Sequence, residues 1–115
     1  DITIVRSKWR TGGCSDNSTG KGSTKLLNKQ GFKCCLGFIA SEFRPQNKGI
    51  LNLNYPCSCD FNIPDLVQSN GFPEDTELTN SAISINDDVH TTQKQKEIAL
   101  KKLFKKSYYN LIFVD

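Results

Sequence analysis

The chain has 115 residues, of which 37% are apolar and 23% are charged, and its formal net charge is +3. A chain of this length forms one domain, here residues 1–115, and buries enough surface to fold without a metal or a disulfide. Its apolar content excludes an intrinsically disordered tail.

Targeting and redox features indicate a soluble protein of a reducing compartment. The first five residues lack the basic flank and the apolar length of a secretory signal. The longest apolar run, residues 34–40, is far shorter than the roughly 18 residues that span a bilayer. The five cysteines are an odd number, which favours free thiols. We therefore expect a cytoplasmic protein without a membrane contact.

The charges are segregated along the chain. Residues 1–48 hold nine Lys and Arg against three acids, and residues 49–93 hold seven acids and no Lys or Arg. Residues 94–115 hold six Lys against two acids. This order predicts either two basic ends that hold an anionic ligand or blocks that neutralise one another in the fold.

The N-terminal half of the chain predicts a strand, a long loop and a helix. Residues 2–5 are typical of a short strand. Residues 12–24 are almost all small and polar, as in a loop, and loops of this length are often functional. Residues 33–43 are apolar on nearly all sides, which predicts a buried central helix. Gly37 within it suggests the close approach of another backbone.

The C-terminal half begins with a weak strand and continues with two helices. Leucines and a tyrosine alternate with asparagines at 51–55, which indicates a weak strand. Apolar residues at helical spacing within 78–85 favour a helix. Thr91 or Thr92 then caps a further helix that runs to about Lys106.

An apolar strand is predicted at the end of the chain. Residues 109–114 contain few polar positions, which favours a central place in a sheet. The order of elements predicts a small α+β domain with a buried central helix and this C-terminal strand in a small mixed sheet.

The cysteines and the single histidine are the candidates for metal or nucleophilic chemistry. Four cysteines supply the number of thiolates that a structural zinc needs: Cys34, Cys35, Cys57 and Cys59. Adjacent helical residues point about 100° apart and Cys-x-x-Cys is absent, so the spacing argues against zinc. His90 is the only histidine that could activate a cysteine. No metal, cofactor or catalytic residue is predicted. The two adjacent cysteines, Cys34 and Cys35, are expected to be buried, unreactive thiols.

Basic residues around the only tryptophan give the strongest binding signature. An indole stacks on a base, and neighbouring guanidiniums bind phosphate through charge-assisted hydrogen bonds. The segment 12–24 adds glycines whose amides can approach an anion, although it lacks the residue order of a phosphate loop. The predicted ligand-binding residues are Arg6, Lys8, Trp9, Arg10, Lys21 and Lys33. The alternative role for the tryptophan is an anchor of the core, with its basic neighbours solvated.

Two further charged groups have simpler explanations. Four lysines of the last predicted helix either meet a phosphate backbone or form a solvated helix face, and we favour the solvated face; they are Lys94, Lys101, Lys102 and Lys105. Residues 86–88, Asn-Asp-Asp, are more typical of a turn and a helix cap than of a general acid–base pair.

One set of short motifs is specific enough to indicate a family. Residues 31–38 read Gly-Phe-Lys-Cys-Cys-Leu-Gly-Phe, residues 85–87 read Ile-Asn-Asp, and residues 113–115 read Phe-Val-Asp. This set resembles a family of small uncharacterised phage and prophage proteins that carry a Gly-Lys-Met-Cys-Cys-Leu-Gly-type box. Lys33 stands where those relatives carry Met, and residues 44–76 match nothing in the family.

The resemblance implies a small accessory protein of a mobile element, in the cytoplasm of an infected bacterium, and it transfers no catalytic residue. We expect a non-enzymatic protein that antagonises host antiviral defence by sequestering a nucleotide immune signal, such as a cyclic oligonucleotide or an ADP-ribose derivative. The alternatives are an inhibitor that binds a host defence protein and a small nucleotide-processing enzyme. The sequence leaves homo-oligomerisation open.

Overall fold

The computed structural model describes residues 1–11, 25–44, 49–68 and 74–115. Within these ranges the chain forms seven helices and strands, which are β1 (Ile2–Val5), α1 (Cys35–Ser41), β2 (Val67–Gln68), β3 (Glu74–Asp75), α2 (Glu77–Asp87), α3 (Gln93–Phe104) and β4 (Leu111–Val114). Two single turns of 3-10 helix add to them, at Arg6–Lys8 and Pro56–Ser58. The predicted α+β class is confirmed.

The two ends of the described chain meet in a parallel pair of strands. β1 and β4 are in register from Ile2 with Leu111 to Val5 with Val114. One face of this pair is buried, through Ile2, Ile4 and Leu111. β2 and β3 form a separate antiparallel pair. Parallel and antiparallel pairing therefore both occur, as predicted, but in two pairs that do not share a strand.

The central helix is buried, as its apolar circumference predicted. α1 begins at Cys35, with Cys34 in extended conformation before it, so the helix is shorter than the predicted 33–43. Every residue from Cys35 to Ala40 is buried. A side chain at Gly37 would collide with the main-chain carbonyl of Leu26, which confirms the predicted close approach. The segment that contains Leu26 can therefore cross α1 only because residue 37 is glycine.

The two later helices follow the sequence predictions closely. α2 begins after Thr76, whose hydroxyl accepts a hydrogen bond from the Thr79 N–H at 3.3 Å. α3 begins after Thr92, which forms a capping box with Gln95. None of the described helices has the length and the apolar composition that crossing a membrane requires.

Lys96 of α3 is buried, whereas the four lysines of the predicted solvated face are all exposed. Only 2% of its surface is exposed. Its ammonium donates to the main-chain carbonyls of Asp88 and Thr91 and to the Thr91 hydroxyl. Burial lowers the pKa of this amine, and the charges of Asp88 and Asp87 oppose that shift. Through these hydrogen bonds, the buried Lys96 ammonium holds the connection between α2 and α3 in place.

The C-terminal strand and the predicted weak strand both differ from expectation. β4 forms as predicted, yet among the described residues it pairs with β1 alone, and Ile112 and Val114 are each 37% exposed. Its apolar composition therefore does not mark a central strand in the described part of the chain. Residues 51–55 contribute an isolated bridge between Leu51 and Leu27 in place of a strand.

We predict that Gly37→Ala destabilises the protein although alanine is the better helix former. Alanine would gain about 1 kcal/mol of helix propensity. The collision with the Leu26 carbonyl should outweigh this gain and lower the free energy of unfolding by about 3 kcal/mol. Urea unfolding measures the change. Ser84→Ala on the exposed side of α2 is the control, because it changes propensity alone. A Gly37→Ala variant as stable as the parent would contradict the packing at this glycine.

We also predict that Cys34 and Cys35 resist alkylation in the folded protein. Burial raises the pKa of the Cys34 thiol to about 12 and also raises the pKa of the Cys35 thiol. Because the thiolate is the reactive form, brief iodoacetamide treatment at pH 8 should leave both unmodified. The half-buried Cys57 is the internal control and should react faster than either. Mass spectrometry of the peptides reports each site. Rapid modification of Cys35 without urea would show that α1 is not buried.

Candidate functional site

The segment from Lys8, the last residue of the first 3-10 turn, to Arg10 is held against Lys33 by two main-chain hydrogen bonds. The Lys33 N–H donates to the Lys8 carbonyl at 2.9 Å, and the Arg10 N–H donates to the Lys33 carbonyl at 2.8 Å. Trp9 and Lys33 form a parallel bridge. These contacts place residues 8–10 beside Lys33, the residue that follows Phe32 in the chain.

Lys8 and Arg10 converge on one aromatic ring. The Arg10 guanidinium carbon lies 4.2 Å from the centroid of the Phe32 ring, and the Lys8 ammonium lies 5.6 Å from it. Phe32 is half-buried. The negative face of the ring attracts both cations, with about 0.5–1 kcal/mol for each exposed contact. We call these three residues the Phe32 cation cluster.

A tight turn before Phe32 fixes the position of the ring. The Asn28 side-chain oxygen accepts hydrogen bonds from the Gln30 N–H at 3.0 Å and the Phe32 N–H at 2.9 Å. Gly31 has a φ of +87°, which favours glycine. Sequence reasoning missed Phe32 as part of the site, although an asparagine three residues before a glycine is a turn signal that could have indicated it.

Trp9 faces the core. Its surface is only 6% exposed, and its indole N–H donates to the Asn86 side-chain oxygen at 2.7 Å. Its ring centroid lies 5.1 Å from that of Phe113 on β4. The ring thus takes the alternative role of a core anchor, and a ligand could stack on it only if the indole left this place.

Arg6 is engaged by two acids. Its guanidinium donates to both oxygens of Glu97 at 2.8 and 2.9 Å and to Asp115 at 2.9 Å. These bonds raise the pKa of Arg6, and the arginine lowers the pKa of Glu97. Arg6 therefore ties α3 to the end of β4, and its charge is largely neutralised.

Lys33 lies beside the Phe32 cation cluster and not in it. Its main chain holds the segment that carries the two cations, but its ammonium lies 5.3 Å from the centroid of the Phe38 ring. Burial lowers the pKa of this amine, and Glu42 opposes the shift. Lys21 and the rest of the predicted loop 12–24 lie outside the described residues.

The other chemically active groups are dispersed. Cys34 and Cys35 are buried, Cys57 and Cys59 are half-buried, and His90 is exposed. In the described ranges, no three Cys, His, Asp or Glu side chains are close enough together to hold a metal ion. Burial also raises the pKa of Cys59 to about 11, so this thiol is not activated as a nucleophile.

Comparison of the chain with known proteins finds no relative. No protein-family model, no curated protein and no solved structure matches it. The resemblance that rests on the Cys-Cys-Leu-Gly box therefore stays a prediction. The function has to be argued from the described residues, and the Phe32 cation cluster is the candidate site that they provide.

Proposed function

We propose that this protein is a non-enzymatic binding protein that sequesters a phosphate-bearing small molecule at the Phe32 cation cluster. The observation that carries the proposal is the convergence of Lys8 and Arg10 on one half-buried ring. The sequence placed Arg6 and Trp9 in the same site, but Arg6 is bound by Glu97 and Asp115 and Trp9 is buried in the core, so neither is assigned to it.

Contact with the ring prepares the guanidinium for phosphate. Stacking on an aromatic ring holds the guanidinium of an arginine in one orientation. Its N–H donors then match the spacing of two phosphate oxygens. Because a side chain ordered in advance loses less entropy when the ligand arrives, this arrangement favours affinity. The Lys8 ammonium adds a second positive charge on the same face.

The aromatic contact to the ligand is assigned to Phe32 in place of Trp9. Trp9 is 6% exposed and its N–H is engaged, whereas Phe32 is half-buried and adjoins both cations. A base that stacks here would place its phosphates within reach of Lys8 and Arg10. Lys21 remains a contact predicted from sequence, since the glycine-rich segment follows closely after Arg10.

The class of ligand follows from the proposed setting. A ring beside two cations suits a nucleotide better than a bare sugar phosphate, because a base has a face to stack. The phage-type sequence box supports an accessory role against host defence in the host cytoplasm. We therefore propose a nucleotide immune signal as the ligand, either a cyclic oligonucleotide or an ADP-ribose derivative.

We predict that Arg10→Ala weakens binding of the cognate nucleotide by roughly ten- to a hundredfold. This loss corresponds to one charge-assisted bond of about 1.5–3 kcal/mol. Isothermal titration calorimetry with cyclic dinucleotides, cyclic trinucleotides and ADP-ribose derivatives first finds the ligand and then measures the loss. Lys8→Ala should weaken the same ligand by a smaller factor.

Arg44→Ala is the matched control for this experiment. Arg44 also lies over a phenylalanine, with its guanidinium carbon 4.5 Å from the Phe61 centroid, and it pairs with Asp60 at 3.2 Å. The Arg44→Ala change removes a positive charge and a stacked guanidinium, as Arg10→Ala does, but outside the site. The affinity for the nucleotide should therefore stay the same. If no nucleotide binds, or if both arginine variants bind equally well, the proposal is wrong and inhibition of a host protein becomes the leading hypothesis.

A further inference from the structure

A groove runs along β4, on a side where no other strand of the described ranges pairs with it. Its volume is about 450 Å³, and it is lined by Lys101 and Phe104 of α3, by Lys105 directly after this helix, and by residues 107–113. The groove shares no lining residue with the Phe32 cation cluster. The groove is therefore a separate place on the surface from the proposed nucleotide site.

The groove follows the main-chain edge of β4. Leu111, Ile112 and Phe113 all line it, although successive side chains of a strand point to opposite faces. The Ile2 N–H donates to the Asn110 carbonyl at 2.8 Å, which fixes the phase of the parallel ladder. Alternate residues of such a strand bond to the same neighbour, so the main-chain groups of Leu111 and Phe113 are directed away from β1 and toward the groove.

This edge has the properties of a site for strand addition. Among the described residues β4 pairs with β1 and with no other strand. Of the β4 residues that line the groove, Ile112 is 37% exposed, Phe113 is half-buried and Leu111 is 3% exposed, and Tyr108 before the strand is 75% exposed. An edge strand with unpaired amides and carbonyls is a template for an extended peptide, which gains main-chain hydrogen bonds and apolar contacts there.

The charge of the groove selects the kind of peptide. Lys101 and Lys105 are one helical turn apart, both are exposed, and no acid is among the described residues that line the groove. Two acids bond to lining residues: Asp65 accepts from the Tyr108 N–H at 2.9 Å, and Asp1 accepts from the Asn110 side-chain amide at 3.2 Å. An acidic side chain on an added strand would meet the two ammonium groups.

We infer that the β4 edge is a docking site for an extended acidic segment of a partner protein. The segment adds as a strand beside Leu111–Phe113, and its acidic side chains contact Lys101 and Lys105. Because β4 has four residues, an added strand pairs over roughly four residues, which span about 13 Å at a rise of about 3.3 Å per residue. The partner is recognised by backbone pairing and charge, which suits a short linear motif.

A synthetic strand tests this inference directly. The probe is a fluorescein-labelled hexapeptide of alternating glutamate and valine, and fluorescence anisotropy measures its binding to the full chain. A lysine–valine hexapeptide should not bind. Two further glutamate–valine peptides carry N-methyl groups on one or the other set of alternate amides. One of the two should lose binding, because strand addition uses the amides of a single peptide edge.

Charge reversal on α3 supplies the matched pair of protein variants. Lys101→Glu with Lys105→Glu should weaken the probe by about tenfold or more, since two favourable pairs become repulsive. Lys94→Glu with Lys102→Glu makes the same charge change on exposed positions outside the groove and should alter affinity by less than about twofold.

Several results would overturn the inference. They are absence of probe binding, equal loss in both double variants, and retention of binding by both N-methylated peptides. Sedimentation of the chain alone gives a further check. A dimer that the Lys101→Glu, Lys105→Glu variant dissociates would show that a second copy, and not an acidic partner segment, occupies this edge.

Discussion

The fold depends on one buried asparagine. Asn86, at the end of α2, is 1% exposed and its side chain makes four hydrogen bonds. Its oxygen accepts from the Trp9 indole at 2.7 Å and from the Cys35 N–H at 3.0 Å. Its amide donates to the Arg10 carbonyl at 3.1 Å and to Asp87 at 2.9 Å. A buried polar group costs free energy unless it is paired, so these contacts specify how α2, α1 and the N-terminal segment fit together.

The same contacts prepare the candidate site. Cys34 gives α1 no side-chain cap, and Asn86 supplies from another helix the acceptor that the first turn needs. Asn86 binds both the Trp9 indole and the Arg10 carbonyl, and it thereby fixes the main chain from which Lys8 and Arg10 reach the Phe32 ring. Asn86 lies in the Ile-Asn-Asp motif and Cys35 in the Cys-Cys-Leu-Gly box, so both motifs include residues that build this core contact. In this structure the sequence box marks a folding element that supports the proposed binding site.

Local patterns predicted the helices better than the site. The apolar circumference around Cys35 indicated a buried helix, and Gly37 indicated close packing, since both signals are carried by neighbouring residues. Trp9 among basic residues suggested a ligand contact, but the direction of its ring is decided by Asn86, which is 77 positions away. Phe32 was missed for a similar reason, because only the pairing of residues 8–10 with residue 33 brings cations to it. Contacts between distant segments leave no periodic signal in a single sequence.

A double-mutant cycle between Trp9→Phe and Asn86→Ala tests the central claim most directly. Phenylalanine keeps an aromatic ring in the core but removes the N–H, while alanine leaves that N–H without its acceptor. Urea unfolding of the four proteins should show that the double variant is less destabilised than the sum of the single variants, by about 1–2 kcal/mol. Effects that add to within about 0.3 kcal/mol would show that the two side chains do not interact, and would contradict the account.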